Sequence, residues 1–268
     1  MYDFNLLLVP LKKLSLLLLS TVIIQLSHAQ PDLDSLWSIW KDEMAPDTAK
    51  LIAMHEIAWN GYLYSKPDSA FILAQLIVDH SSDEGLEKYL AKALRTQAIS
   101  LRVRGEFFIA LDYCQQSFDI SQNTDDKIGM ATTLNSMGIV YDYLGDYPKA
   151  LNCYQRSLKI KEKISDKKGI AQTMNNIGII YDYQGEYSKA LSYYMRSLKI
   201  YEELDYDRGI ASTLLNIGVA NRYLGHYSEA MEYFKQSLVM FEILSNQRAM
   251  ATTLKNIGNI YIQQGDYD

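Results

Sequence analysis

"YDYLGDYPKALNCYQRSLKI", residues 141–160, returns forty positions later as "YDYQGEYSKALSYYMRSLKI", residues 181–200. The interval holds beyond this pair. Gly138 recurs as Gly178, Gly218 and Gly258, and Gly145 as Gly185, Gly225 and Gly265. Tyr147, Tyr187, Tyr227 and Tyr267 keep register, as do Ala150, Ala190 and Ala230. Toward the N-terminus the pattern fades: Gly105, Phe107 and Ala110 stay in register, Ala70 is kept, and Ala58 and Ala98 stand where later units have glycine. The spacing predicts five full units and a truncated sixth over residues 47–268. A fixed period of this length marks an elongated array whose units contact only their neighbours, rather than two ordinary domains.

Within one unit, Leu134, Met137, Gly138 and Tyr141 fall at i, i+3, i+4 and i+7, one face of a helix. Gly145 ends that helix, because glycine takes the left-handed conformation at little cost. Asp146 is placed to cap the next helix, with Pro148 tolerated in its first turn. The second helix carries Ala150, Leu151, Tyr154 and Leu158 inward and runs to about Ser165. Gly138 and Ala150 are expected to face each other, small against small. The unit is a helical hairpin, so the fold class is all-α: a superhelical solenoid of stacked antiparallel helix pairs. A single hairpin cannot bury its apolar face, and stacked copies bury each other's.

Leu134, Gly138 and Tyr141, then Gly145-Asp146-Tyr147, then Ala150 and Tyr154, together resemble the tetratricopeptide repeat over roughly residues 48–268. Units of forty residues without a closing proline are similar to the long-unit repeats of kinesin light chains and Partner-of-Inscuteable adaptors. The resemblance implies a concave groove, lined by the first helices, that binds a peptide or protein segment. The carboxylate clamp of shorter-unit relatives is not assigned. Lys255 and Asn259 match its opening pair, but Leu215 and Val219 stand in the preceding unit.

The first thirty residues differ in kind. Lys12 and Lys13 precede "LSLLLLSTVIIQL", and Ser27-His28-Ala29 forms a small-x-small site before Gln30. This reads as a signal peptide over 1–29, cleaved after Ala29, with an uncleaved membrane anchor as the alternative. Residues 30–46 form a lead-in. The protein is therefore expected to be exported, periplasmic or secreted, and membrane-associated only if the leader stays or a spanning helix follows residue 268. Without Lys12, Lys13 and Asp3 the chain keeps 24 basic and 31 acidic residues, a net charge of −7 against −6 for the whole. With no basic stripe, nucleic acid is excluded as a partner. Cys114 and Cys153, on second helices of neighbouring units, are expected to stay unbridged.

No residue pattern points to catalysis, a metal or a cofactor. "HEIAW", His55 to Trp59, opens like a zinc-protease helix, but Trp59 occupies the second ligand position. Neither a phosphate loop nor a Gly-x-Ser-x-Gly elbow occurs. The informative polar residues lie on the first helices, on the side away from Leu134, Gly138 and Tyr141. In rows they read Asn135, Asn175, Leu215, Lys255; Ser136, Asn176, Asn216, Asn256; Asp142, Asp182, Arg222, Ile262; and Tyr143, Tyr183, Tyr223, Gln263. Asparagine is a middling-to-poor helix former, so its repetition in mid-helix requires a role. Two roles compete: the amides pair with an extended peptide backbone in the groove, or they bond to one another between stacked helices and fasten the array.

The sequence thus describes an exported scaffold for protein interaction. The rival reading is the sensory portion of a larger membrane signalling receptor, with a kinase, cyclase or DNA-binding domain beyond Asp268. A spanning helix and a new domain beyond Asp268 would mark the receptor, and a polar cap the scaffold.

Overall fold

The computed structural model describes residues 32–81 and 85–264. The predicted leader and its cleavage site, the first residues of the lead-in, and Gly265 and Tyr267 lie outside the described residues. Every regular element among the described residues is helical. In order these are α1 (Leu33–Lys41), α2 (Asp47–Glu56), a π-helical turn (Ile57–Tyr62), α3 (Pro67–His80), α4 (Glu87–Val103), α5 (Phe107–Asn123), α6 (Lys127–Tyr143), α7 (Tyr147–Lys163), α8 (Lys167–Tyr183), α9 (Tyr187–Glu203), α10 (Asp207–Tyr223), α11 (Tyr227–Ile243) and α12 (Gln247–Gln264).

Two kinds of turn set the period. After α6, Gly145 sits at φ 73°, its N–H donates to the Asp142 carbonyl at 2.9 Å, and the Asp146 N–H donates to the Tyr141 carbonyl at 2.9 Å. This pair of bonds closes the helix end around one left-handed residue. Asp146 then caps α7, accepting from the Lys149 N–H at 3.2 Å. The same geometry closes the second helices with a residue other than glycine: Asp125, Ser165, Asp205 and Ser245 all have φ between 47° and 57°. Asp126 and Asp166 cap the helices that follow, accepting from Gly129 and Gly169. Three-residue turns of fixed geometry leave 17-residue helices between them from α4 to α11.

Inside each hairpin the expected small-on-small contact is corrected. A side chain on Gly138 would meet the Tyr154 ring at 2.5 Å, not Ala150; Gly178 and Gly218 stand in the same relation to Tyr194 and Phe234. These rings are 1% exposed or less, so the glycines make room for the largest side chains of the core. The hairpins are also pinned by a buried hydroxyl. Ser117, Ser157, Ser197 and Ser237 on second helices donate to the carbonyls of Ala91, Ala131, Ala171 and Ala211 on first helices, at 2.7 to 2.9 Å.

Each helix packs on its neighbours in the chain. First helices also touch each other across units, α4 on α6, α6 on α8, α8 on α10 and α10 on α12. No such approach is found between successive second helices among the described residues. First helices therefore form the inner, more crowded layer and second helices the outer one. At the N-terminal end, α1 lies within the lead-in and packs Leu36 and Trp37 against Ala53 and Ile57. Cys114 and Cys153 are both buried free thiols, on α5 and α7. Burial pushes Cys114 up to about 12.

Candidate functional site

The inner layer sets three stripes side by side: Thr132, Asn135, Ser136, Ile139, Asp142 and Tyr143 on α6, and their counterparts on α8 and α10. Three clefts follow them. One of about 300 Å³ runs from Trp59 and Arg102 past Asn135 and Ser136 to Lys168 and Gln172. A second, of about 490 Å³, is walled by Ile139, Asp142, Tyr143, Tyr147, Tyr154, Asn176, Ile179 and Tyr183. The third, of about 260 Å³, is lined by Gln172, Asn175, Asn176, Tyr206 and Arg208 among others. Shared walls at Ile139, Asn176 and Gln172 join them into one groove.

Six predicted residues thus line these clefts: Asn135, Asn175, Asn176, Asp142, Tyr143 and Tyr183. Asp182, Asn216, Arg222, Tyr223 and Asn256 do not.

The asparagines bond to one another. Asn176 Nδ2 donates to Asn135 Oδ1 at 3.2 Å, and Asn216 Nδ2 to Asn175 Oδ1 at 3.1 Å. The Thr173 and Thr213 hydroxyls lie 3.4 Å from the same two oxygens, and Thr173 directs its hydrogen chiefly to the Gly169 carbonyl at 2.9 Å. These bonds cross from α6 to α8 and from α8 to α10, as fastening requires. The ladder stops at α12, because Leu215 offers Asn256 no acceptor and its amide bonds instead to Thr252 O in its own helix. The tyrosine row is shared between uses. Tyr143, Tyr183 and Tyr223 stack on Phe107, Tyr147 and Tyr187 of the preceding second helix, with centroids 5.6, 6.0 and 4.8 Å apart. Each remains more than half exposed.

Charge is divided along the groove. Lys168 and Arg208 stand at the N-terminal ends of their helices, and Asp142 and Asp182 one residue before the C-terminal ends. Burial pushes both carboxyl groups up to about 6, and for Asp182 the charge of Arg222 works against that rise. Arg222 places its guanidinium 4.3 Å over the Tyr223 ring and donates from Nη1 to Gln263 Oε1 at 3.5 Å. Burial lowers Lys161, which borders the first cleft, to about 8; its ammonium donates to Thr173 Oγ1 at 2.9 Å. His55 stacks on Trp59 and is lowered to about 3, by burial first and then by Lys92 and Arg95.

The row reading missed Tyr147 and Tyr154, which reach the second cleft from α7, and Lys168 and Arg208 at the helix starts. A signal existed for each. Tyr147 belongs to the forty-residue tyrosine series, and Lys168, Arg208 and Arg248 keep a basic residue at one position of three units. Chemically the groove presents amide groups, phenol rings and half-buried carboxylates. Among the described residues no group of His, Cys, Asp and Glu is placed to hold a metal, and no helix is long and apolar enough to cross a membrane.

A tetratricopeptide-repeat family model matches residues 89–163 and 169–243. No curated protein matches the chain. Among solved structures, a Rap protein in complex with competence and sporulation factor is 19% identical with a TM-score of 0.68, covering 88% of this chain and 66% of its own. A signal transduction ATPase with numerous domains and a tetratricopeptide-repeat sensor, from Pyrococcus horikoshii, is 19% identical with a TM-score of 0.69. That match covers 80% of this chain and 33% of the ATPase. A kinesin light chain-like protein of Podosopora anserina with nearly identical TPR-like repeats is 14% identical with a TM-score of 0.57, covering 74% of this chain and 97% of its own. More than half of the chain matches the family model and the helix pairs stack as its repeats do: the protein belongs to the tetratricopeptide-repeat family, whose arrays are protein–protein interaction scaffolds.

Proposed function

We propose that this chain is an exported scaffold that holds an extended segment of a partner protein along the inner faces of α6, α8 and α10. The observation that carries this reading is the continuous run of three clefts along those helices. Their walls alternate amide groups with exposed phenol rings. An extended backbone presents donors and acceptors in alternation, and the ladder leaves Asn135 Nδ2 and Asn176 Oδ1 without a bond among the described residues. Export follows from the residue pattern at 1–29. The Rap protein that shares this fold was solved in complex with competence and sporulation factor, which suits an array that holds a partner. The scaffold works without catalysis or cofactor, and its acidic balance makes proteins, not nucleic acids, the partners. A sensor role within a larger signalling protein is the second reading. It is favoured by the Pyrococcus ATPase, where similar repeats form a sensor.

The test uses a partner recovered by pull-down with exported protein, whose N-terminus by mass spectrometry is expected at Gln30. Replacing Tyr143 and Tyr183 by Ala should weaken that complex about tenfold or more, since each ring contact contributes roughly 0.5–1.5 kcal/mol. Replacing Asn176 and Asn216 by Ala should lower the melting temperature, each lost bond costing roughly 0.5–1.5 kcal/mol. Unchanged affinity in the tyrosine variant would overturn the groove, and unchanged stability in the asparagine variant would remove the ladder's fastening role.

A further inference from the structure

At the C-terminal ends of α4, α6, α8 and α10 the same position reads Arg102, Asp142, Asp182, Arg222. The two middle members stand where a cation belongs. The C-terminal end of a helix carries the negative end of its macrodipole, which stabilises Lys and Arg and opposes Asp. Asp142 and Asp182 also lose solvation there, and neither makes an ion pair with the chain among the described residues. Asp182 Oδ1 is buried without a hydrogen-bond partner among the described residues.

One of the two sites carries its own cation. Next to Asp182, α10 supplies Arg222, whose guanidinium lies over Tyr223 and whose charge favours the Asp182 carboxylate. One unit earlier the rings are repeated, with Tyr183 stacked on Tyr147, and the carboxylate is Asp142. The place of Arg222 is taken by Asp182. The other nearby cation, Arg102, lies 5.6 Å over Tyr143 and makes no ion pair with Asp142. Carboxylate and aromatic faces are therefore present around the 490 Å³ cleft, and among the described residues no cation pairs with the carboxylate.

We propose that the cleft walled by Asp142, Tyr143, Tyr147 and Tyr183 takes a cationic side chain, an arginine or lysine of the bound segment, between its rings and against the Asp142 carboxylate. The inference rests on the groove reading and names the chemistry of its occupant. A guanidinium is attracted to ring faces and gains a charge-assisted hydrogen bond from the carboxylate. At the equivalent place one unit on, Arg222 supplies from within the chain a cation that lies over a ring and favours the nearby carboxylate.

The experiment titrates the full chain, with isotope-labelled tyrosine, with N-acetylarginine methylamide and with its uncharged isostere N-acetylcitrulline methylamide. The arginine probe should shift the Tyr143 and Tyr183 resonances and bind about tenfold more tightly than the citrulline probe, the difference expected for one charged hydrogen bond. Asp142→Asn should remove that preference. Asp182→Arg, which places a guanidinium beside Asp142 as Arg222 stands beside Asp182, should block the probe. Arginine preference retained in both variants would overturn the proposal, as would an absence of shifts with the arginine probe. Equal binding of both probes also overturns it but leaves the groove reading standing, since that reading is judged by the partner complex and its tyrosine variant.

Discussion

Asp142 is a carboxylate at the wrong end of a helix. Folding raises it to about 6 from an ordinary value near 3.8, because burial in the cleft disfavours the charged form. Between those values the folded protein holds the proton more tightly than the unfolded chain, so stability falls as pH rises from about 4 to about 6. The cost is fully present above pH 6. The charged and titratable groups around it are Tyr143 on the same helix, Arg102 on α4, Tyr147 and Tyr154 on α7, and Asp182 and Tyr183 on α8. Asp142→Asn is therefore expected to stabilise the protein at pH 7 by roughly 1 kcal/mol, discounted for the half-exposed position. The gain should vanish near pH 4. Urea titrations of both proteins at the two pH values check this; a gain that persists at pH 4 would mean that packing, not charge, is responsible.

At the scale of the helical element, the two turns of the unit solve one problem with different residues. Both place a left-handed residue after a helix, with glycine at 105, 145, 185 and 225, and with aspartate or serine at 125, 165, 205 and 245. A side chain in that conformation costs roughly 1–2 kcal/mol, partly relieved for Asp by local hydrogen bonding. Ser165→Gly should accordingly stabilise the protein by about 0.5–1 kcal/mol after the greater entropy of unfolded glycine is offset. Gly145→Ala should destabilise it by about 1 kcal/mol, in melting experiments on the same material. Opposite signs at the two turns are the expected signature. The alternation was half legible in the sequence: the glycine turns were read from their period, while the serine and aspartate turns have no residue that announces positive φ.

For the whole molecule, neighbour-only contact makes stability local. Gly138→Leu forces a side chain into the space of the Tyr154 ring, and overpacking of this kind costs roughly 1–3 kcal/mol. Because α6 and α7 pack only on adjacent units, hydrogen exchange should accelerate in α4 to α9 and stay unchanged in α11 and α12. Uniform loss of protection along the chain would show that the array unfolds as a single cooperative body.

Fold, unit length and hairpin were readable from the chain because they rest on local rules, the 3.6-residue period and the end of each first helix at a glycine. What lies across an interface was not. The sequence aligned residues forty apart, yet the ladder joins Asn135 to Asn176 and Asn175 to Asn216, forty-one apart, because stacking sets each helix against the next with an offset. Which of these amide atoms meet across the stack is therefore contained in no one-dimensional row. Gly138 shows the same limit. Its small size was legible, but its partner was not, since Tyr154 and Ala150 share a face of α7 and only packing decides which one fills the gap. The sequence determined that copies must stack; the tertiary structure decided which side chains the stacking brings together and which, like Asp142, it leaves without an ion-pair partner among the described residues.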